Sequence, residues 1–195
     1  MRFEKVGAVL LAGGMGSRMG GVDKGLVELC GKSLALRSIE RIRPHVEEVV
    51  VTANRNLEVY SRFGCKVVTD GGGGPLCGLR AGLLAVSGTF FLTLPCDTPF
   101  FPENLTERLL ERIGDSEIAV PASGGRTHHA FMLARKSLLE DLSGYLDAGG
   151  RKVIEWLERR EIVRVEFEEE NAFFNINTFE DLEKAQFIFS SVGTS

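Results

Sequence analysis

Three observations predict an α/β fold for this 195-residue chain, with a doubly wound, mostly parallel sheet and helices on both faces. Short apolar runs without alternation suit strands buried on both sides. Segments with apolar residues three and four apart fall between them, as right-handed crossover helices would. Glycine, proline and charge concentrate directly after the strands, where sheets of this kind receive ligands.

The first strand is Val6–Leu11, a continuous apolar run. Leu36, Ile39 and Ile42 then recur at helical spacing over residues 34 to about 43, and Pro44 stops the pattern. Residues 49–52 form the second strand, 57–63 a short helix closed by Gly64, and 66–69 a third strand. The run from Gly71 to Pro75 opens a helix over 76–86, and 89–94 is a fourth strand. Prolines at 95, 99 and 102 forbid further ladder bonding after it. A helix over 103–113 and a strand over 118–120 complete the alternation. The remainder is less regular: a hairpin around Gly124 and Gly125, helices near 137–146 and 152–159, and a strand over 162–167. Thr178 and Asp181 have the spacing of a capping box that opens a final helix.

Composition narrows the function. Glycine is enriched, with 23 residues against an average near 7%. No Gly-x-y period accompanies it and 44% of residues are hydrophobic, which excludes collagen-like and low-complexity chains. A formal charge of −4 without a long basic block speaks against nucleic acid as a partner. No apolar run approaches the roughly 20 residues of a membrane span. The first residues resemble a signal peptide, but Glu4 sits in the basic region and Gly13-Gly14 leads into a polar loop. Cys30, Cys65, Cys77 and Cys96 form no C-x-x-C pair, as expected of a reduced, cytoplasmic chain. Length and the absence of a linker suggest one domain spanning 1–195.

The segments after the strands carry the candidate chemistry. After the first, Gly13, Gly14, Gly16, Gly20, Gly21 and Gly25 interleave with Arg18 and Lys24. Glycines let several N–H groups approach one anion and the basic residues supply countercharge, so the loop reads as a polyphosphate cradle. The alternative is a flexible connection with stray basic residues. A Walker A loop is excluded, because Asp23 precedes Lys24 and no Ser or Thr follows it; a dinucleotide fingerprint fails at Met19. Asp97, directly after the fourth strand, is a hard oxygen donor suited to Mg²⁺ beside substrate phosphates, or else a turn cap. Asp70 contacts a base or ribose, or makes an Asx turn into the glycine run. Two adjacent residues on a strand face opposite ways, so His128 and His129 do not ligate a metal together; one of them could meet a substrate, or both lie on the surface. Asn175 and Asn177 share one face of an extended segment, directed at the site or at a turn. Cys96, without a base, reads as a small apolar residue.

Together LAGGMGSRMGGVDKG, GPLCGL, PCDTPFFP and FFNINTFEDL, in this order, resemble the molybdenum cofactor guanylyltransferase family over nearly the whole chain, from about Val6 to Phe189. The resemblance implies a Rossmann-like nucleotidyltransferase fold, with a nucleotide-binding half over about 6–100 and an acceptor half over about 101–189. It implies Mg²⁺-dependent transfer of GMP from GTP to the terminal phosphate of molybdopterin, with release of pyrophosphate. The positions matching Leu11, Ala12, Gly13 and Gly14 would hold the nucleotide, as would Lys24 and Asp70, while Asp97 would hold both nucleotide and metal. Arg18, Lys24 and Asp97 are the expected catalytic residues, and His128, Asn175 and Asn177 the expected acceptor contacts. Proteins that donate the cofactor and apo-molybdoenzymes that receive it would be partners. The sequence departs from the family pattern at Thr52, where asparagine is frequent at this nucleotide position, and at Ser33, Phe179 and His129, where proline is frequent. Competing readings are a sibling enzyme that makes a cytosine dinucleotide or a nucleotide sugar, and a non-catalytic module that binds GTP or the cofactor.

Overall fold

The computed structural model describes residues 5–12, 20–169 and 171–192. Gly13, Gly14, Gly16 and Arg18 of the expected cradle lie outside the described residues.

The amino-terminal half of the sheet is built around β1. Strand β1 (Val6–Leu11) pairs in parallel with β4 (Glu48–Thr52) on one side and with β6 (Phe90–Pro95) on the other. Beyond β4 lies β5 (Lys66–Val68), also parallel. The chain therefore winds outward from β1 through β4 to β5, returns to β6 on the opposite side, and reverses direction around β1. That reversal opens a crevice at the strands' carboxyl ends. The continuous apolar runs are explained by burial on both faces. Ala8, Leu10, Val49, Val51, Leu92 and Leu94 pack with α1 (Leu34–Ile42) and α4 (Leu105–Ile113). Val9, Val50 and Phe91 pack on the other face with α3 (Pro75–Ala85), α5 (Leu138–Asp147) and α6 (Val153–Leu157). A short helix α2 (Leu57–Ser61) connects β4 to β5.

On the far side of β6 the topology departs from simple alternation. The carboxyl half adds β7 (Ile118–Ser123), β8 (Arg126–Thr127), β9 (Leu133–Arg135) and β10 (Ile162–Glu166), and the sheet order is β10-β7-β9-β6-β1-β4-β5 with β8 on β7. Strand β9, which the sequence pattern does not predict, is antiparallel to both β6 and β7. It has only three residues, too few to display a period. The expected hairpin at Gly124 and Gly125 is present as β7–β8. A second hairpin, β2 (Glu28–Leu29) with β3 (Lys32–Ser33), is also absent from the sequence reading. Strand β6 runs one residue further than expected. Pro95 pairs with Leu11, and because the proline ring lacks an N–H the ladder resumes at Cys96, whose N–H donates to Leu11 O at 3.3 Å. The final helix α7 (Phe179–Val192) opens with the expected capping box. Ser33, in place of a proline, caps α1 by accepting from Leu36 N at 3.4 Å.

Helix α3 meets the central strand through glycine. A Cβ on Gly82 would stand only 3.0 Å from Val9 Cγ2 and 3.2 Å from Val9 Cβ, so the helix sits closer to β1 than any side chain permits. Gly82→Leu is expected to lower the unfolding free energy by about 1–3 kcal/mol through overpacking. Denaturant titration checks this, and an unchanged midpoint would contradict the close approach.

Candidate functional site

The site forms where β1 and β6 end. Lys24 opens a single 3-10 turn, Lys24–Leu26, that Asp23 caps by accepting from Gly25 N at 3.2 Å. Its ammonium donates to Asp97 Oδ2 at 3.1 Å and to Asn177 Oδ1. The Lys24 and Asp97 side chains are 16% and 14% exposed, so each charge is largely removed from water and compensated by the other. Asp97 comes two residues after the last residue of β6, and its Oδ1 accepts from the Thr98 hydroxyl at 3.4 Å.

Asn177 reaches Lys24 because its backbone is anchored at both ends. The Asp97 carbonyl accepts from Ile176 N at 2.9 Å. One residue further on, Asp181 Oδ2 accepts from Asn177 N and Thr178 N, each at 3.0 Å. Burial acts to raise the Asp181 carboxyl, but the Asn177 N–H and the hydroxyl and N–H of Thr178 outweigh it and hold the group below its ordinary range. Asn175, on the same segment, is exposed.

A second group of candidates meets at Gly78 in α3. A Cβ there would stand 3.2 Å from Asp70 Oδ2 and 3.6 Å from both Leu11 Cδ2 and Thr52 Oγ1. The ends of β1, β4 and β5 thus converge on one bare patch of helix. The Asx turn weighed for Asp70 is present, with Gly72 N donating to Oδ1 at 2.8 Å. Oδ1 also accepts from Asn54 Nδ2 at 2.6 Å, while Asn54 Oδ1 accepts from the Thr69 hydroxyl at 2.7 Å. The Thr52 hydroxyl donates to Leu10 O at 3.3 Å and the residue is buried. The amide nearest Asp70 is therefore that of Asn54, two residues beyond the family's asparagine position. Ala12 is buried, and its N–H donates to Thr52 O at 2.8 Å.

On the β7 side, His128 stacks on Phe173 with centroids 4.4 Å apart, and its Nε2 shares a hydrogen bond of 2.9 Å with Ser123 Oγ. Burial, then the Arg126 guanidinium and His129, push its pKa below the ordinary imidazole value and favour the neutral ring. His129 Nδ1 is buried without a hydrogen-bond partner among the described residues. Cys96 is buried, and burial followed by the charges of Asp97 and Asp23 pushes its thiol far up, which makes it inert. Among the described residues no group of three or more His, Cys, Asp or Glu could enclose a metal, and no helix is long and apolar enough to cross a membrane.

Asp23, Tyr60, Asn54 and Asn56 were not singled out by sequence. Asp23 accepts from the Tyr60 hydroxyl at 2.6 Å and from Asn56 Nδ2 at 3.0 Å. Its only signal was negative, as the residue that spoils a Walker A loop.

A mostly parallel sheet reversing at its central strand, with a lysine and a carboxylate paired over that point, has the architecture of a nucleotidyltransferase. A family model described as the MobA-like NTP transferase domain matches residues 8–162. The molybdenum cofactor guanylyltransferase of Shewanella pealeana is 43% identical over 180 residues, covering 89% of this chain and 90% of that protein. That of Cupriavidus metallidurans is 41% identical, covering 92% and 93%. The crystal structure of molybdopterin-guanine dinucleotide biosynthesis protein A from Archaeoglobus fulgidus superposes with a TM-score of 0.79 at 27% identity, covering 95% of this chain and 99% of that one. The chain belongs to the MobA-like NTP transferases and, within them, to the molybdenum cofactor guanylyltransferase family. Nucleotidyltransferases of this kind generally require a divalent metal ion.

The Asp181 cap is a testable support of the site. Its ionised form is favoured in the folded state, so its contribution is complete above about pH 4 and is lost as pH falls through the lower folded value. Asp181→Ala is expected to cost about 1 kcal/mol at neutral pH, and the gap to the parent protein should close on acidification. Urea titrations between pH 3 and pH 7 measure it; a gap independent of pH would contradict the assignment.

Proposed function

We propose that the chain transfers GMP from GTP to the terminal phosphate of molybdopterin. An acceptor phosphate oxygen attacks the α-phosphorus, the bond between that phosphorus and the α–β bridging oxygen breaks, and pyrophosphate leaves. The observation that carries this reading is the Lys24–Asp97 contact, held at the reversal of the sheet in a chain of this family.

Lys24 is long, charged and already directed at the end of β6. In the resting protein Asp97 and Asn177 satisfy its ammonium. On substrate binding it exchanges those contacts for phosphate oxygens and, with Arg18, stabilises charge on the triphosphate and on the departing pyrophosphate. Leu11, Ala12, Gly13 and Gly14 supply backbone to the nucleotide, and Asp70 with Thr52 forms the wall against which base or ribose rests.

The donor chemistry at Asp97 fits Mg²⁺. It is one hard carboxylate at a strand end, and Mg²⁺ is commonly held by one or two carboxylates with substrate phosphates and waters completing its shell. Asp97 would hold the ion, which when bound supplies further charge neutralisation to the phosphates. His128, Asn175 and Asn177 face the acceptor in this reading. The partners are cofactor-donating proteins and apo-molybdoenzymes in the cytoplasm, without nucleic acid or membrane.

Incubation of the protein with Mg²⁺, molybdopterin and GTP, CTP or ATP in turn tests the reaction. Pyrophosphate release and dinucleotide formation are expected with GTP; preference for CTP, or transfer to a sugar phosphate, would favour the sibling enzymes. GTP binding without turnover would mark a non-catalytic module. Lys24→Ala and Asp97→Asn should each slow transfer by roughly 10²- to 10³-fold, the size expected when a preorganised charge partner is lost. Full metal-dependent activity in Asp97→Asn would overturn the metal assignment.

A further inference from the structure

Lys24 has a long flexible side chain, and its usefulness depends on where its backbone is fixed. The residues on either side are held by α2 and the turn preceding it. Asp23 Oδ1 accepts from Gly25 N at 3.2 Å and from the Tyr60 hydroxyl at 2.6 Å, while Oδ2 accepts from Asn56 Nδ2 at 3.0 Å. Asn56 adopts the left-handed region with φ of 53° at the start of α2. Further upstream, Arg55 Nη1 donates to Gly21 O at 3.2 Å. Segment 55–60 therefore grips segment 21–25 at three separate points.

Tyr60 is fully buried and packs edge-on against Phe63, with centroids 5.8 Å apart. A phenol this deep needs a hydrogen-bond partner, and Asp23 is the partner it has. Burial, then the bond to Asp23, pushes the phenol far above its ordinary value, so it remains a donor throughout the physiological range. Gly25 lies directly over that hydroxyl, and a Cβ at this position would collide with it. The backbone on the far side of Lys24 is thereby seated on the phenol.

We infer that Tyr60 and Asp23 are positioning residues, a buried phenol–carboxylate clamp that fixes the turn carrying Lys24 so that its ammonium meets the phosphates in one place. The inference rests on the role proposed for Lys24. A merely structural Tyr60 would support the packing of α2 and leave catalysis to follow stability; a positioning Tyr60 acts through Lys24 alone.

Tyr60→Phe removes the hydroxyl and keeps the ring. It is expected to lower kcat for guanylyl transfer by about tenfold, the scale of a sub-ångström misplacement, with KM for GTP within about twofold of the parent. Asp23→Ala should be slower still. Asp23→Asn retains a carbonyl oxygen that accepts from Gly25 and Tyr60, and should recover much of the rate. The deciding comparison is Tyr60→Phe in a Lys24→Ala background, where no further loss is expected. If Lys24→Ala is slow and Tyr60→Phe costs its full factor there as well, the clamp does not act through Lys24 and the inference is overturned. If Lys24→Ala is fully active, the proposed role of Lys24 fails and takes the inference with it. Should Tyr60→Phe not fold, the Asp23→Asn and Asp23→Ala pair decides: Asp23→Ala should be the slower when Lys24 is present, and the two should be equal in the Lys24→Ala background; equal rates with Lys24 present, or an undiminished difference without it, would overturn the clamp.

Discussion

The contact between Lys24 and Asp97 joins parts of the chain that the fold must deliver separately: the loop after β1, the end of β6 and, through Asn177, the segment before α7. Two opposite charges withdrawn from water at this depth are tolerable only together. The pair therefore ties the position of each segment to that of the others. The Ile176–Asp97 backbone bond and the Asp181 cap fix one arm, the pairing of β6 with β1 the second, and the Asp23 network the third. In the proposed reaction the same contact keeps the ammonium and the carboxylate next to each other until nucleotide and metal bind.

The sheet provides the platform for this convergence. Because β9 is antiparallel to β6 and to β7, strands β6 and β7 run in the same direction, and β10 follows β7. The carboxyl ends of β1, β4, β5, β6, β7 and β10 consequently share one edge. Ser123 and His128 come to that edge from the β7–β8 hairpin, and Phe173 stacks on His128 from the segment that also carries Asn177. A three-residue strand thus sets the direction of β7 and β10 relative to β6 and β1.

The elements most legible in the sequence were those buried on both faces. Val6–Leu11 is apolar throughout because Ala8 and Leu10 meet one layer of helices and Val9 the other. Helix α1 was readable from Leu36, Ile39 and Ile42, and the cap of α7 from Thr178 and Asp181, because both signals are local. Strand β9 and the β2–β3 hairpin were not, since two or three residues carry no period and their pairing is decided by distant partners. In the site, Lys24 and Asp97 stood out by residue type and by their place after strands. Tyr60 did not: it reads as an ordinary apolar residue of a short helix, and its link to Asp23 spans 37 positions. Thr52 was legible as a departure from the family pattern. That its hydroxyl is committed to Leu10, and that Asn54 is the amide beside Asp70, depends on side-chain directions no spacing reveals.

In the proposed reaction Lys24 and Asp97 are partners of each other at rest and of nucleotide and metal in the complex. A crystal structure of the chain with Mg²⁺ and a non-hydrolysable GTP analogue tests it most directly. The expected complex has the Lys24 ammonium on phosphate oxygens, the metal on Asp97, and the 3.1 Å contact between them broken. A complex with the nucleotide bound elsewhere and that contact intact would contradict it.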